Sequence, residues 1–215
     1  MTAGNRSIGL SFDDGSLETY AVAWPLLRER GLTATVFVTT SLIGSDRPPK
    51  PWEESGLHVQ GMAADQIVAL DRDGIEIGSH GVNHYALPDL SDEALSAELA
   101  KSRVALESLL GHPVTTFSYP HGAFDARVRD AAAAAGYVSA WSCECVPLLH
   151  ATDPLVLPRY PVHSSAVRRR DLDALMHDGD LARRLRARFS TTAQRPGWDV
   201  PLPPEDLRRK SPDRP

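Results

Sequence analysis

The chain has 215 residues, 42% hydrophobic and 24% charged, an ordinary composition for one globular domain with a sizeable core. Its 23 basic and 28 acidic residues leave a net charge of −5, which removes the electrostatic case for nucleic acid or an anionic membrane as partner. No run approaches the roughly 18 apolar residues of a membrane span. Residues 1–7 lack the basic and apolar regions of a secretory leader, so a cytoplasmic protein is expected.

Short β-rich runs then alternate with helical patterns. Residues 7–12 read as a strand, 17–30 as a helix stopped by Gly31, and 34–38 as a second strand. Residues 45–61 hold three prolines and Trp52 and read as a loop. A helix over 64–72 and a strand over 75–79 follow. Ser91 is a good N-cap, with Asp92 and Glu93 in the favoured first turn, and the helix it starts carries Leu95, Leu99, Leu106 and Leu110 on one face. A strand over 115–119, an Ala-rich helix over 125–135 stopped by Gly136, and a strand over 137–142 come next. Residues 155–157 are weakly strand-like, and 171–189 suit a basic-faced helix. This alternation argues for an α/β fold with a parallel sheet, open or closed into a barrel. The domain is expected over residues 1–190. The Pro- and charge-rich tail 191–215 has no periodicity and is expected to be disordered or loosely draped. Cys143 and Cys145 are one residue apart, too close for an unstrained bridge, and read as packing residues.

The chemistry concentrates in two places. Ser11-Phe12-Asp13-Asp14-Gly15 ends the first strand, and Ser79-His80-Gly81-Val82-Asn83-His84 ends the third. In a parallel α/β fold, strand ends carry the functional groups. Two imidazoles and one carboxylate suit Zn²⁺ or another divalent first-row ion, with positions left open for water and substrate. His80 and His84 meet at one ion if their loop curls as a helical turn. Consecutive residues leaving a strand point in different directions, so one of Asp13 and Asp14 can ligate while the other stays free as a base. Gly15 permits the turn that crowds these groups together.

These motifs resemble the polysaccharide deacetylase family, the NodB-homology or carbohydrate esterase family 4 group. Asp13-Asp14-Gly15 and His80-x-x-x-His84 are similar to its first two motifs, with Gly81 in place of a hydroxyl residue. Ser118-Tyr119-Pro120-His121-Gly122 matches the third only partly, because Ser118 stands where many members carry an Arg that pairs with the base. The resemblance implies a distorted, incomplete (β/α) barrel. It implies Asp13 as base and Asp14, His80 and His84 as ligands of a divalent metal, Zn²⁺ first, with Co²⁺, Ni²⁺ or Mn²⁺ as alternatives. Arg159, after Leu157-Pro158, is the candidate substitute for the missing Arg. His163 is the candidate proton donor, with His121 next. The backbone N–H near His121 aligns with the family's oxyanion donor. Tyr119, Pro120, His121 and Trp141 are expected to contact substrate. Trp52 reads as a sugar-stacking platform or a packing lid, and His58, His112, His150 and His177 as surface residues.

The function expected is metal-dependent removal of an N-acyl group, acetyl first, from an amino sugar or sugar-containing precursor, the substrate being a small molecule or glycan. Two alternatives stand beside it. One is a metal-independent cyclic amide or ureide hydrolase on the same fold, as in allantoinase-like members. The other is a catalytically inactive carbohydrate-binding protein.

Overall fold

The structure, a computed structural model, describes residues 8–49, 52, 59–143, 153–162 and 203–209. Five parallel strands form its sheet: β1 (Ser11–Phe12), β2 (Thr35–Val38), β3 (Glu76–Ser79), β4 (Thr116–Ser118) and β5 (Ser139–Trp141). They lie in sequence order, β1-β2-β3-β4-β5, the order of a singly wound barrel rather than of a doubly wound open sheet. Val36 pairs with both Phe12 and Ile77, and Phe117 pairs with both Ser79 and Ala140. The alternation read from the sequence is thus an α/β half-barrel. Residues 155–157 add a single parallel bridge, Leu157 to Trp141, at the free edge of β5.

The sheet is curled, and one side chain shows it. β1 and β5 are opposite edges of the sheet. The Arg159 guanidinium nevertheless bonds Ser11 Oγ on β1 at 3.1 Å and the carbonyl of Ser142, just past β5, at 3.4 Å. One planar group of that size can join both edges only if the sheet closes toward a barrel.

Helices cover the outside of the sheet: α1 (Trp24–Glu29), α2 (Ala64–Arg72), α3 (Asp92–Leu110) and α4 (Ala126–Ala134). The first helical segment changes pitch without breaking: a π-helical turn over Thr19–Ala23 runs into α1 through Ala23 and Trp24, both helical, and the Trp24 N–H bonds the Thr19 carbonyl. Ser91 caps α3 by accepting from the Ala94 N–H at 3.2 Å, and Gly111 ends it at φ 77°. Two apolar clusters form the core. Val36, Val38, Ile67, Leu70, Ile77 and Leu106 lie under the first three strands, and Leu95, Leu99, Phe117, Tyr119, Val128 and Tyr137 lie under the last two.

Residues 203–209 of the tail lie against this second cluster. The Ser91 N–H donates to the Leu207 carbonyl at 2.8 Å, the Arg209 N–H donates to the Asp89 carbonyl at 2.8 Å, and the Leu207 side chain packs on the core. The helix expected over 171–189 and Cys145 lie outside the described residues. No described helix is long and apolar enough to cross a membrane.

Candidate active site

The C-terminal ends of β1, β3 and β4 face one recess. Asp13 and Asp14 follow β1, His80 follows β3, and His84 lies four residues further on. Gly15 must be a glycine: its φ is 78°, and a Cβ there would stand 3.1 Å from Val38 Cγ1. Among the described residues, three non-glycines have positive φ: Asp14 (76°), His84 (59°) and His121 (59°). Each such backbone costs on the order of 1–2 kcal/mol. Strain confined to one recess is the mark of a site whose side-chain directions matter more than its local stability.

The two adjacent carboxylates go separate ways. Asp14 Oδ1 lies 3.6 Å from His80 Nε2 and 3.4 Å from His84 Nε2. One donor atom from each of Asp14, His80 and His84 falls within 4.8 Å of the others, close enough for all three to hold one ion. Both histidines are buried. His80 has its Nδ1 at 2.7 Å from the Ser118 carbonyl, which takes the Nδ1 proton and leaves Nε2 facing Asp14. The Trp52 indole N–H donates to His84 Nδ1 at 2.9 Å, with the two rings edge to face. Trp52 is therefore a buried partner of His84, and the sugar-platform reading does not fit its position. The donor set of two imidazole nitrogens and one carboxylate oxygen suits a divalent first-row cation.

Asp13 instead meets Arg159, 146 residues away in sequence. Arg159 Nη1 donates to Asp13 Oδ1 at 2.6 Å and Nη2 to Oδ2 at 2.8 Å, a two-point fork. Nη2 also donates to Ser118 Oγ at 2.6 Å, and that hydroxyl reaches Asp13 Oδ2 at 3.5 Å. Phe37 underlies the guanidinium, 5.3 Å from its ring centre. Ser118, at the position of the expected third-motif Arg, thus leaves room for a guanidinium arriving from residue 159. Cys143, expected as a buried packing residue, is half-buried beside Gly122, where an added Cβ would approach the Cys143 Cβ to 2.6 Å.

Electrostatics separates the carboxylates further. Burial pushes Asp13 up, but the His80 imidazole and the Arg159 bonds outweigh it and hold this carboxyl below its ordinary value. Asp14 shares the pull of these charges but not the hydrogen bonds that Arg159 gives Asp13. Burial, together with the neighbouring Asp13 charge, raises it to about 6 against the opposing pull of His80 and Arg159. Burial, with His80 and His121 close by, holds His84 well below its usual range, so it stays neutral. With Nδ1 accepting from Trp52, the neutral ring carries its proton on Nε2, and that nitrogen ligates a metal only once the proton is released.

The remaining expected site residues divide. Pro120–Gly122 is a tight turn after β4, left-handed at His121 and Gly122, and it sets the His121 ring edge-on to His84, centroids 4.4 Å apart. Pro120 is buried and lies against the histidine loop, 4.0 Å from where a Gly81 Cβ would sit. Trp141 is half-buried and in register with Ser118, so both side chains leave the sheet on the same face. Tyr119 must be corrected. It is wholly buried, stacks on Phe124, and donates its hydroxyl to the Leu155 carbonyl at 2.9 Å, so it is a core residue and not a pocket wall. His163, His58, His150 and His177 lie outside the described residues. His112 is on the surface, bonded to Asp71 at 3.0 Å. Sequence reasoning missed Glu98, a buried carboxylate that bonds the loop between the two histidines.

A family model for polysaccharide deacetylase matches residues 1–140. The chain belongs to the polysaccharide deacetylase family. That family consists of hydrolases acting on carbon–nitrogen bonds. The chain is 28% identical over 132 residues to the polysaccharide deacetylase-like protein YxkH of Bacillus subtilis, which covers 61% of this chain and 43% of that one. Chitin deacetylase 1 of Cryptococcus neoformans is 32% identical over 128 residues, 60% of this chain and 24% of that one. The chain therefore spans less than half the length of these relatives. In fold it resembles the Streptococcus pyogenes deacetylase PplD, solved in complex with acetate. The TM-score is 0.63 at 24% identity, over 73% of this chain and 65% of that one.

Proposed function

We propose that this member of the family is a metal-dependent hydrolase that removes an N-acyl group, acetyl first, from an amino sugar or sugar-containing precursor. The observation that carries this reading is the division of labour between adjacent carboxylates: Asp14 converges with His80 and His84, while Arg159 holds Asp13 apart. Asp14, His80 and His84 would hold the ion, Zn²⁺ first. When bound, a divalent ion there supplies Lewis acidity toward the acyl carbonyl and makes water more acidic.

The chain's own groups do the rest. Asp13 accepts the proton of the water that attacks the acyl carbon. Arg159 and Ser118 hold that carboxylate in one orientation and keep it ionised. The backbone N–H of His121, in the turn beside His84, donates to the oxyanion of the tetrahedral intermediate. As the C–N bond breaks, an imidazole protonates the leaving amine. His121 is the described candidate for this and His163 the other. Trp141 borders the acyl group from the face it shares with Ser118.

The geometry favours this reading over the two alternatives. The inactive-protein reading rests on the absent third-motif Arg and on the poor match of Pro161-Val162-His163 to the family's proton-donor motif, and a guanidinium that reaches Asp13 from residue 159 weighs against the first of these. A metal-independent ureide hydrolase has no use for the converged Asp14, His80 and His84.

Metal analysis tests the reading. The purified protein is expected to hold one divalent ion per chain, and His80→Ala to lose it. Equal metal content in the two would overturn the assignment. Because Asp14 must be ionised to ligate and its pKa is raised to about 6, affinity is expected to fall as pH drops through about 6. Below that pH, protonation of one ligand costs about tenfold per pH unit. A Kd that stays flat between pH 7 and pH 5 would remove Asp14 from the site.

A further inference from the structure

We infer that Glu98 is a positioning residue that sets the geometry of the His80–His84 loop; the inference rests on the metal reading above. Glu98 lies on α3, in the apolar stripe, and is buried. A buried carboxylate persists only if its oxygens are bonded. Among the described residues, the hydrogen-bond partners of this carboxylate lie between the two histidines. Oε2 accepts from the Val82 N–H and the Asn83 N–H, both at 2.9 Å. Oε1 accepts from Asn83 Nδ2 at 2.6 Å.

The carbonyl side of the same loop is tied independently: the Thr40 N–H bonds the Gly81 carbonyl and the Ser41 N–H bonds the Val82 carbonyl, both at 3.0 Å. One helical turn beyond Glu98, buried Ser102 accepts from Ser79 Oγ at 2.8 Å, just before His80. Gly81 completes the fit. It has φ 81°, and a Cβ there would sit 3.3 Å from Glu98 Oε2. The loop that carries both imidazoles is therefore clamped from both sides, and the Val82 and Asn83 N–H groups share one carboxylate. Groups that orient metal ligands typically change affinity about 10–100-fold when lost.

The test is a Co²⁺ titration followed by visible absorption, with circular dichroism to confirm folding. Glu98→Gln keeps one acceptor for the backbone N–H groups but turns an amide N–H₂ toward Asn83 Nδ2, two donors face to face. It is expected to weaken Co²⁺ binding by about tenfold or more. Adding Asn83→Asp restores a donor–acceptor pair with reversed direction and should recover affinity to within about threefold of wild type. Asn83→Ala, which removes only the side-chain bond, gives the same reading should Glu98→Gln not fold: weaker binding supports the role, and wild-type affinity overturns it. Equal affinity in wild type and Glu98→Gln, or no recovery in the double variant, overturns the positioning role while the metal site stands. A wild-type protein that takes up no Co²⁺ overturns the metal reading, and this inference with it.

Discussion

Asp13→Asn is expected to keep its metal and lose turnover. The amide preserves the shape of the side chain and one acceptor oxygen for Arg159, so the recess survives. It cannot take a proton from water. General bases contribute about 10²–10⁴-fold, and a fall in kcat of that order is the expected result on an N-acetylated amino-sugar panel. Asp14→Asn is expected to behave in the opposite way. Asp14 Oδ1 is the oxygen that meets His80 Nε2 and His84 Nε2, so this variant should bind metal weakly and regain part of its activity in excess metal. Metal content and kcat measured on both variants separate the roles. If Asp13→Asn loses the ion while Asp14→Asn retains it, the two carboxylates have been assigned the wrong way round. Full activity of Asp13→Asn on an authentic substrate would end the mechanism.

Arg159→Met is expected to damage both stability and the pH profile. Arg159 is the cation in a fork with Asp13, its side chain only 12% exposed and that of Asp13 31% exposed. Removing one partner of a fully buried pair costs about 3–5 kcal/mol, and the partial exposure of Asp13 places this case below that. The pH effect has a definite sign. Burial raises Asp13, and the bonds and charge of Arg159 help pull it below its ordinary value. Without the guanidinium the carboxyl rises, so a larger share of it is protonated and idle under mildly acidic conditions. The acid limb of kcat/KM should move to higher pH, and kcat at neutral pH should fall less than in Asp13→Asn. Arg159→Lys should lie between the two, because an ammonium keeps the charge but cannot make the two-point fork. A profile whose acid limb does not move in Arg159→Met would show that Arg159 does not control Asp13.

The strands, the capped helix and the two site motifs were legible in the sequence because each is written in residues that are close neighbours along the chain. Alternation of strand and helix periods led to the parallel sheet, Ser91 to the start of α3, and the spacing of His80 and His84 to their convergence with Asp14. What lies across the fold was not legible in the same way. Glu98 and Ser102 fall on the same helical stripe as Leu95, Leu99 and Leu106, and a carboxylate in an apolar stripe is a signal, but its partners at Val82 and Asn83 appear only when α3 docks on the loop. Tyr119 is two residues from His121 in the same motif, yet the strand turns it into the core while the turn brings His121 to His84. Arg159 was a candidate by its local motif alone; only the curl of the sheet, which brings Ser11 and Ser142 to one guanidinium, carries it to Asp13. Local sequence thus determined which groups this protein has and which element each sits on. Tertiary structure decided which of them meet, because those meetings depend on sheet curvature and helix docking, which packing over the whole chain sets.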